Sequence, residues 1–302
     1  MKPITKQSDK KAAFTIIELL TVMSIIIILI GLLVPSLNMV KRYAKEVKQK
    51  AQFHSIDSAI ELFNSEWDGY PPSNALDEAG EDYCGAMKLC EAMVGQDLMG
   101  FHPNSRFRKD LTDGRSPPIL LYDKDPTSPA DDPDATNLKL RKGPYLQIEN
   151  ANAYRLWHLY GAANIGDFSG DKGEYIFVLC DVYNRVKNVE TGKGIGMPIL
   201  YYKANTSNTI HDPNGTFPTA AGDNGYIYNY LDNDELVKLP PPFNLTATHP
   251  LSGTGTNFYD ITRDKRISIE TGRPYRPDSY ILISAGFDGM YGTDDDIFNF
   301  EK

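Results

Sequence analysis

The apolar and polar positions divide this chain into three stretches with different periods. From Leu19 to Val40 there are 22 residues and no charged side chain, apolar on every face of a helix. At 1.5 Å per residue that run is roughly 33 Å long, enough to cross a hydrocarbon core of about 30 Å. Beyond it the pattern becomes one-sided. Val40, Ala44, Val47 and Ala51, and again Ile60, Phe63 and Trp67, recur at three- and four-residue steps, which predicts that the helix continues through residues 41–66 with an amphipathic stripe. Gly69, Pro71 and Pro72 in "WDGYPPSN" stop it.

The remaining chain reads as short mixed elements. "DYCGAMKLCEAMVGQDLMGF" predicts a second helix, with Ala86, Cys90, Met93 and Leu98 on or near one face. Residues 104–145, rich in Pro, Asp, Ser and Gly, predict loops. "ANAYRLWHLYG" predicts a short helix. "GEYIFVLCDVYNRV" and "GMPILYYKAN", separated by the turn-rich "KNVETGKGI", predict an antiparallel pair of strands. "NGYIYNYL" fits a strand or a short helix, and "SYILISAG" predicts a late strand. No internal repeat is present. The expected fold class is α+β: a long N-terminal helix packed on a head with a small antiparallel sheet and a large middle insertion.

Charge sharpens this division. The net charge of −9 over 302 residues argues against nucleic acid as a partner. Residues 1–13 carry a net +3 and residues 41–50 a net +4. With those segments and Glu18 set apart from the total, residues 51–302 hold −15, so a basic neck joins an acidic head. Three cysteines make no disulfide framework, and no C-x-x-C occurs. Cys180 lies in phase with Ile176, Val178 and Val182 and reads as a buried strand thiol. Cys84 and Cys90 could pair only if Cys84 lies outside the helix that holds Cys90.

The N-terminus admits three readings. A secretory signal has a shorter apolar stretch and a small-x-small cleavage site, and "VPSLNMVKR" offers none. A plain anchor explains the length but leaves Glu18 without a reason, since a carboxylate at the edge of the bilayer is costly. The third reading rests on "KKAAFTIIELL". It resembles the prepilin signature of type IV pilins and type II secretion pseudopilins. The resemblance implies a basic leader, residues 1–13, ending at Lys10 and Lys11 and cut between Ala13 and Phe14. Phe14 would become a methylated N-terminal residue, Glu18 the fifth residue, and Pro35 the helix-loosening proline of the membrane part. The family usually has Gly before the cut where this chain has Ala13. The implied domains are a long helix over 14–70, its membrane part about 14–40, and an extracytoplasmic head over 71–302.

The resemblance also implies a role for Glu18. Cutting before Phe14 creates a cationic amine, and the amine of an incoming subunit can neutralise Glu18 of its neighbour, in a low dielectric where an unpaired charge is costly. Implied partners are a prepilin peptidase, other pilin or pseudopilin subunits, the assembly platform of the machine and the bacterial inner membrane. The likeness covers about residues 1–72 and 278–300 and leaves the middle unassigned.

After the last strand comes "SAGFDGMYGTDDDIFNF", a Gly-permitted turn dense in Asp, the kind of oxygen-rich segment calcium favours. It is similar to the calcium-binding C-terminal loop of major pseudopilins. That likeness implies a loop over 284–300 with Asp294, Asp296 and Asp288 as carboxylate ligands, carbonyls near Ile283 to Ala285, and Asp295 turned to solvent. A second acidic turn, around Asp167 and Asp171, reads as a plain loop. For catalysis there is little. His54, His102, His158, His211 and His249 are scattered, and no H-E-x-x-H, G-x-S-x-G, P-loop or G-x-G-x-x-G occurs. The expectation is a filament subunit rather than an enzyme. The alternative is a membrane-anchored, calcium-stabilised enzyme or binding domain that uses the middle region.

Overall fold

The computed structural model describes residues 15–122, 135–169, 175–212, 218, 225–253, 255–267 and 272–301. The chain divides into two units, one up to Ala44 and one from Lys45 onward. Helix α1, Ile16–Trp67, runs through both without interruption. In the first unit every described residue is exposed, and the apolar window has a mean hydropathy of 2.8 with none of it buried. It is the one helix among the described residues long and apolar enough to cross a membrane, a test of length and composition that a signal sequence also passes.

The second unit is the head. The far part of α1 buries Gln49, Gln52, Phe53, Ile56, Ala59, Ile60 and Phe63, and Asp68 at φ 54° ends the helix. The buried face therefore differs from the stripe expected from sequence, because Val47 and Ala51 are exposed while two glutamines lie inside. The reason is hydrogen bonding. Gln49 Oε1 accepts the Val182 N–H at 3.0 Å, and Gln52 Nε2 donates to the Cys180 carbonyl at 2.9 Å. Both satisfy backbone groups where a strand ends.

Helix α2, Gly85–Val94, is buried along its whole length, including Lys88 and Glu91. Its N-terminus has no cap of its own. Instead Asn233 Oδ1 accepts the Ala86 N–H at 2.9 Å, while Asn233 Nδ2 donates to the Tyr201 carbonyl. The buried charges are solvated by the chain. Lys88 Nζ donates to the Asn74 and Leu76 carbonyls, and burial pushes its pKa down to about 8. Glu91 accepts from the Tyr83 hydroxyl at 2.6 Å and from Ser105, and burial pushes its carboxyl above the usual range.

The strands form three small antiparallel sheets. β1 (Ala153–Arg155) pairs with β2 (Phe177–Leu179), and β3 (Val186–Lys187) with β4 (Gly194–Ile195). β5 (Leu200–Lys203), β6 (Tyr280–Ser284) and β7 (Ile297–Phe298) make the third, in the order β5-β6-β7. The late strand at "SYILISAG" is thus present as β6. The expected pairing of the two middle strands is only partly formed. A single bridge, Cys180 with Pro198, forms just past the end of β2 and just before β5, and each strand pairs along its length with a different partner. The turn expected between them holds the β3–β4 hairpin. "ANAYRLWHLYG" splits into β1 and a five-residue helix, α3 (Leu156–Tyr160), and "NGYIYNYL" ends in a 3-10 turn from Tyr230.

Side-chain alternation sorts the core into two layers. Tyr280 and Leu282 of β6, with Tyr201 of β5, join the α1 face and most of α2. Ile281 and Ile283, with Leu200 and Tyr202, face the other way, onto Leu156, Leu159, Phe168, Tyr228, Phe258 and Tyr291. Antiparallel sheets often leave one face to water. Here the middle of the chain covers it. Cys180 belongs to this second layer with Ile176 and Val178, as the sequence phase predicts. Cys84 is the residue just before α2, and all three cysteines are free and buried.

Candidate functional site

At the start of α1, Thr15 and Glu18 bond reciprocally. Glu18 Oε2 accepts the Thr15 N–H at 2.9 Å and its hydroxyl at 2.7 Å, while the Glu18 N–H donates to Thr15 Oγ1 at 3.3 Å. This is a capping box, which satisfies helix-end donors that have no partner within the helix. The sequence reading missed it, although T-x-x-E is legible in "TIIE". Glu18 thus has a local reason to stand at the head of the apolar run. Ala13 and Phe14 lie outside the described residues. Pro35 sits inside α1 without ending it. Lacking an N–H, it leaves the Gly31 carbonyl without its usual helical partner, which softens the helix there.

The second candidate is the C-terminal loop. Its root is fixed by Asp181, a fully buried residue that the sequence reading did not single out. Asp181 Oδ1 accepts from the Tyr183 and Met197 N–H groups at 3.1 and 3.2 Å, and Oδ2 from the Ser284 hydroxyl at 3.0 Å. Ser284 Oγ in turn accepts the Gly286 N–H at 3.3 Å. Burial pushes the Asp181 carboxyl up to about 7, against these donors and nearby Lys45.

Within the loop the carboxylates are used to fold the loop itself. Asp288 Oδ1 accepts the Met290 N–H at 2.7 Å. Asp295 takes the Asp288 N–H at 2.9 Å and the Thr293 hydroxyl at 2.7 Å. Asp296 is buried and accepts the Gly292 N–H at 2.7 Å. Asp294 is exposed. The expectation that Asp295 points to solvent is therefore corrected. Asp295 is half-buried and faces Asp288, and the exposed member of the Asp run is Asp294. Residue 288 needs an N–H acceptor to close the turn, and the side chain seven residues on supplies it. The Ala285 carbonyl, expected as a metal ligand, accepts the Gly289 N–H.

As a donor set for calcium the loop is chemically apt, with carboxylates, carbonyls and no thiol or imidazole among its residues. Asp288 and Asp295 are neighbours. Desolvation first and the Asp295 charge next raise the Asp288 carboxyl, and a cation between them would relieve both effects. Three carboxylate, thiol or imidazole groups do not gather around a common point among the described residues. A calcium ion here would take its remaining oxygens from carbonyls, Thr293 and water.

The histidines stay apart. His102 and His249 are buried, and their Nδ1 atoms accept the Asn104 and Tyr291 N–H groups. His211 is buried against Thr262, and His158 sits 3.3 Å from Glu190. A cavity of about 360 Å³ is lined by Ser73, Lys203, Asn205, Tyr226, Asn229 and Asp232. Ser73 donates to Asp232 across 2.5 Å and accepts the Lys203 N–H at 3.0 Å, and burial pushes Asp232 up to about 7. Among the described residues no imidazole lines this cavity to take a proton from Ser73.

No protein-family model, curated protein or solved structure matches this chain.

Proposed function

We propose that this protein is a pilin-like structural subunit, of a type II secretion pseudopilus or a type IV pilus, anchored in the bacterial inner membrane by α1 with its head outside. The observation that carries this reading is Glu18 at the head of the apolar, fully exposed part of α1, four residues after Phe14 in sequence and held by Thr15. In this reading a prepilin peptidase cuts between Ala13 and Phe14. The Phe14 amine of one subunit then pairs with Glu18 of the next on the assembly platform, where low dielectric makes register and pairing the same requirement. The head, with α1 and β6 packed face to face, is the rigid body that such a helix would carry. The acidic C-terminal loop binds calcium through Asp288 and Asp295, with Asp294 free to swing in.

Mass spectrometry of the membrane-extracted protein tests this. The expected N-terminus is a methylated Phe14. An intact Met1 or Lys2 in cells that carry a prepilin peptidase would overturn it, and would favour an anchored head that works through its middle region.

A further inference from the structure

The geometry points to a docking surface for an anionic phospholipid bilayer on the head, built from Phe243, Leu245 and Phe287 and rimmed by Lys45 and Arg185. The inference needs only that α1 anchors the chain in a membrane, and so stands apart from the filament reading.

These residues form one continuous patch. Lys45 Nζ lies 5.8 Å from the centre of the Phe287 ring and donates to the Tyr183 carbonyl at 2.8 Å. The Tyr183 and Phe287 rings meet edge to face at 6.5 Å. Arg185 follows two residues later. Its guanidinium lies 4.6 Å over the Phe243 ring, and its Nε donates to the Asp288 carbonyl at 3.2 Å. Phe287 therefore leads through Asp288 and Arg185 to Phe243, and Leu245 extends the same loop. The three apolar side chains remain substantially in water, Phe243 at 36%, Phe287 at 42% and Leu245 at 53% exposure.

Two observations say what covers them. The first is the tether. Lys45 is five residues beyond Val40, where the apolar run ends. Five residues reach at most about 18 Å even fully extended, so Lys45, at the rim of the patch, is held within that reach of the end of the apolar run. The second is charge. Lys41, Arg42, Lys45, Lys48 and Lys50 against Glu46 give the neck +4, and Arg185 adds one more. Glu46 is taken up by Lys50 at 2.9 Å, and the Asp288 carboxylate is turned onto the Met290 N–H. Aromatic rings framed by lysine and arginine match the headgroup region, where amphipathic and basic groups gather. Basic residues beside a membrane span are attracted to anionic leaflets. The patch would thereby hold the head down on the membrane until another interaction lifts it.

The test uses the full chain in nanodiscs of phosphatidylcholine alone or mixed with phosphatidylglycerol. Leu245→Cys, carrying an environment-sensitive fluorophore, reports on the patch, because the three native thiols are buried. The expected result is a blue shift, with quenching by headgroup-labelled lipid, in the anionic discs only, reversed by salt. Lys45→Gln should reduce the docked-to-undocked ratio about fivefold, the effect of roughly one basic residue at such a surface. Phe287→Ser should reduce it without changing the salt dependence. Equal emission in both kinds of disc would overturn the proposal, since the same labelled protein is compared in both and only the lipid changes. So would a shift that grows with the number of chains per disc regardless of lipid, which would assign the patch to a second copy. A methylated or unmethylated Phe14 leaves this readout unchanged, so the two proposals fail separately.

Discussion

The Tyr280 hydroxyl, on the first residue of β6, donates to Asp57 Oδ1 on α1 across 2.8 Å and 223 positions of sequence. The same oxygen accepts from Asn299 Nδ2 at 3.1 Å, and Asn299 Oδ1 accepts the Leu282 N–H. One carboxylate thus ties the long helix to the last two strands. Tyr280→Phe removes a single charge-assisted bond and should cost about 1–2 kcal/mol. Asp57→Ala strands two donors at once and should cost about 2–3 kcal/mol. Denaturant unfolding followed by circular dichroism checks both, and Asp57→Ala should be the worse of the two.

Gly196 lies against Asp181 so closely that a Cβ would meet the Asp181 carbonyl oxygen at 2.0 Å and Oδ1 at 2.4 Å. Backbone cannot yield as a flexible side chain can. Gly196→Ala should therefore destabilise the head by about 3 kcal/mol or more and disturb the root of the C-terminal loop. Gly69→Ala, where nothing lies within 4 Å, serves as the control and should change stability by less than about 1 kcal/mol. Equal melting temperatures for the two variants would contradict this packing.

Asp181 sets a pH dependence. Its folded pKa is raised to about 7 by burial, well above an unfolded aspartate. Between about pH 4 and 7 the folded state holds a proton that the unfolded state has released, so this group's contribution to stability is full below about pH 4 and falls as pH rises to 7. Asp181→Asn should flatten that slope. Unfolding free energies at a series of pH values, for the parent and the variant, decide the matter; parallel curves would show that Asp181 does not titrate in this window.

The calcium proposal separates the loop carboxylates by role. Calcium should raise the melting temperature relative to chelator, by an amount that corresponds to about 2.7 kcal/mol at a hundredfold excess over Kd. Magnesium should do less, because it keeps its waters. Asp288→Ala and Asp295→Ala should each abolish most of the rise, and Asp294→Ala part of it. Asp296→Ala should lower stability equally with and without calcium, because that side chain holds the Gly292 N–H in the interior. A melting temperature indifferent to calcium would leave the loop an ordinary acidic turn.

Glu18 has a capping role and a proposed pairing role, and glutamine distinguishes them. Glu18→Gln can still close the capping box with Thr15 but carries no charge. It should insert in the membrane and fail to enter filaments. Thr15→Ala should weaken the helix start and still assemble. Normal assembly of the glutamine variant would reduce Glu18 to a cap.

Local pattern alone determined much of this protein. The 22 uncharged residues, the helix stop near Gly69, the late strand at Tyr280–Ser284 and the α+β class all follow from periods of 3.6 and 2 and from breakers that act within a few residues. The tertiary structure decided the rest, because the deciding partners are far away in sequence. Gln49 and Gln52 break the apolar pattern of α1, and only the strand end at Cys180 and Val182 makes them interior residues. Strand pairing went the same way. Only the short β3–β4 hairpin separates β2 from β5 in sequence, yet β5 closes on β6 some eighty positions later, where the alternation of Ile281 and Ile283 against Tyr280 and Leu282 fills both layers of the core. In the C-terminal loop composition gave the cluster of aspartates but not their directions. Those depend on which N–H groups the turn leaves unsatisfied, and Asp288 N–H turns Asp295 inward while Asp294 is left to the solvent.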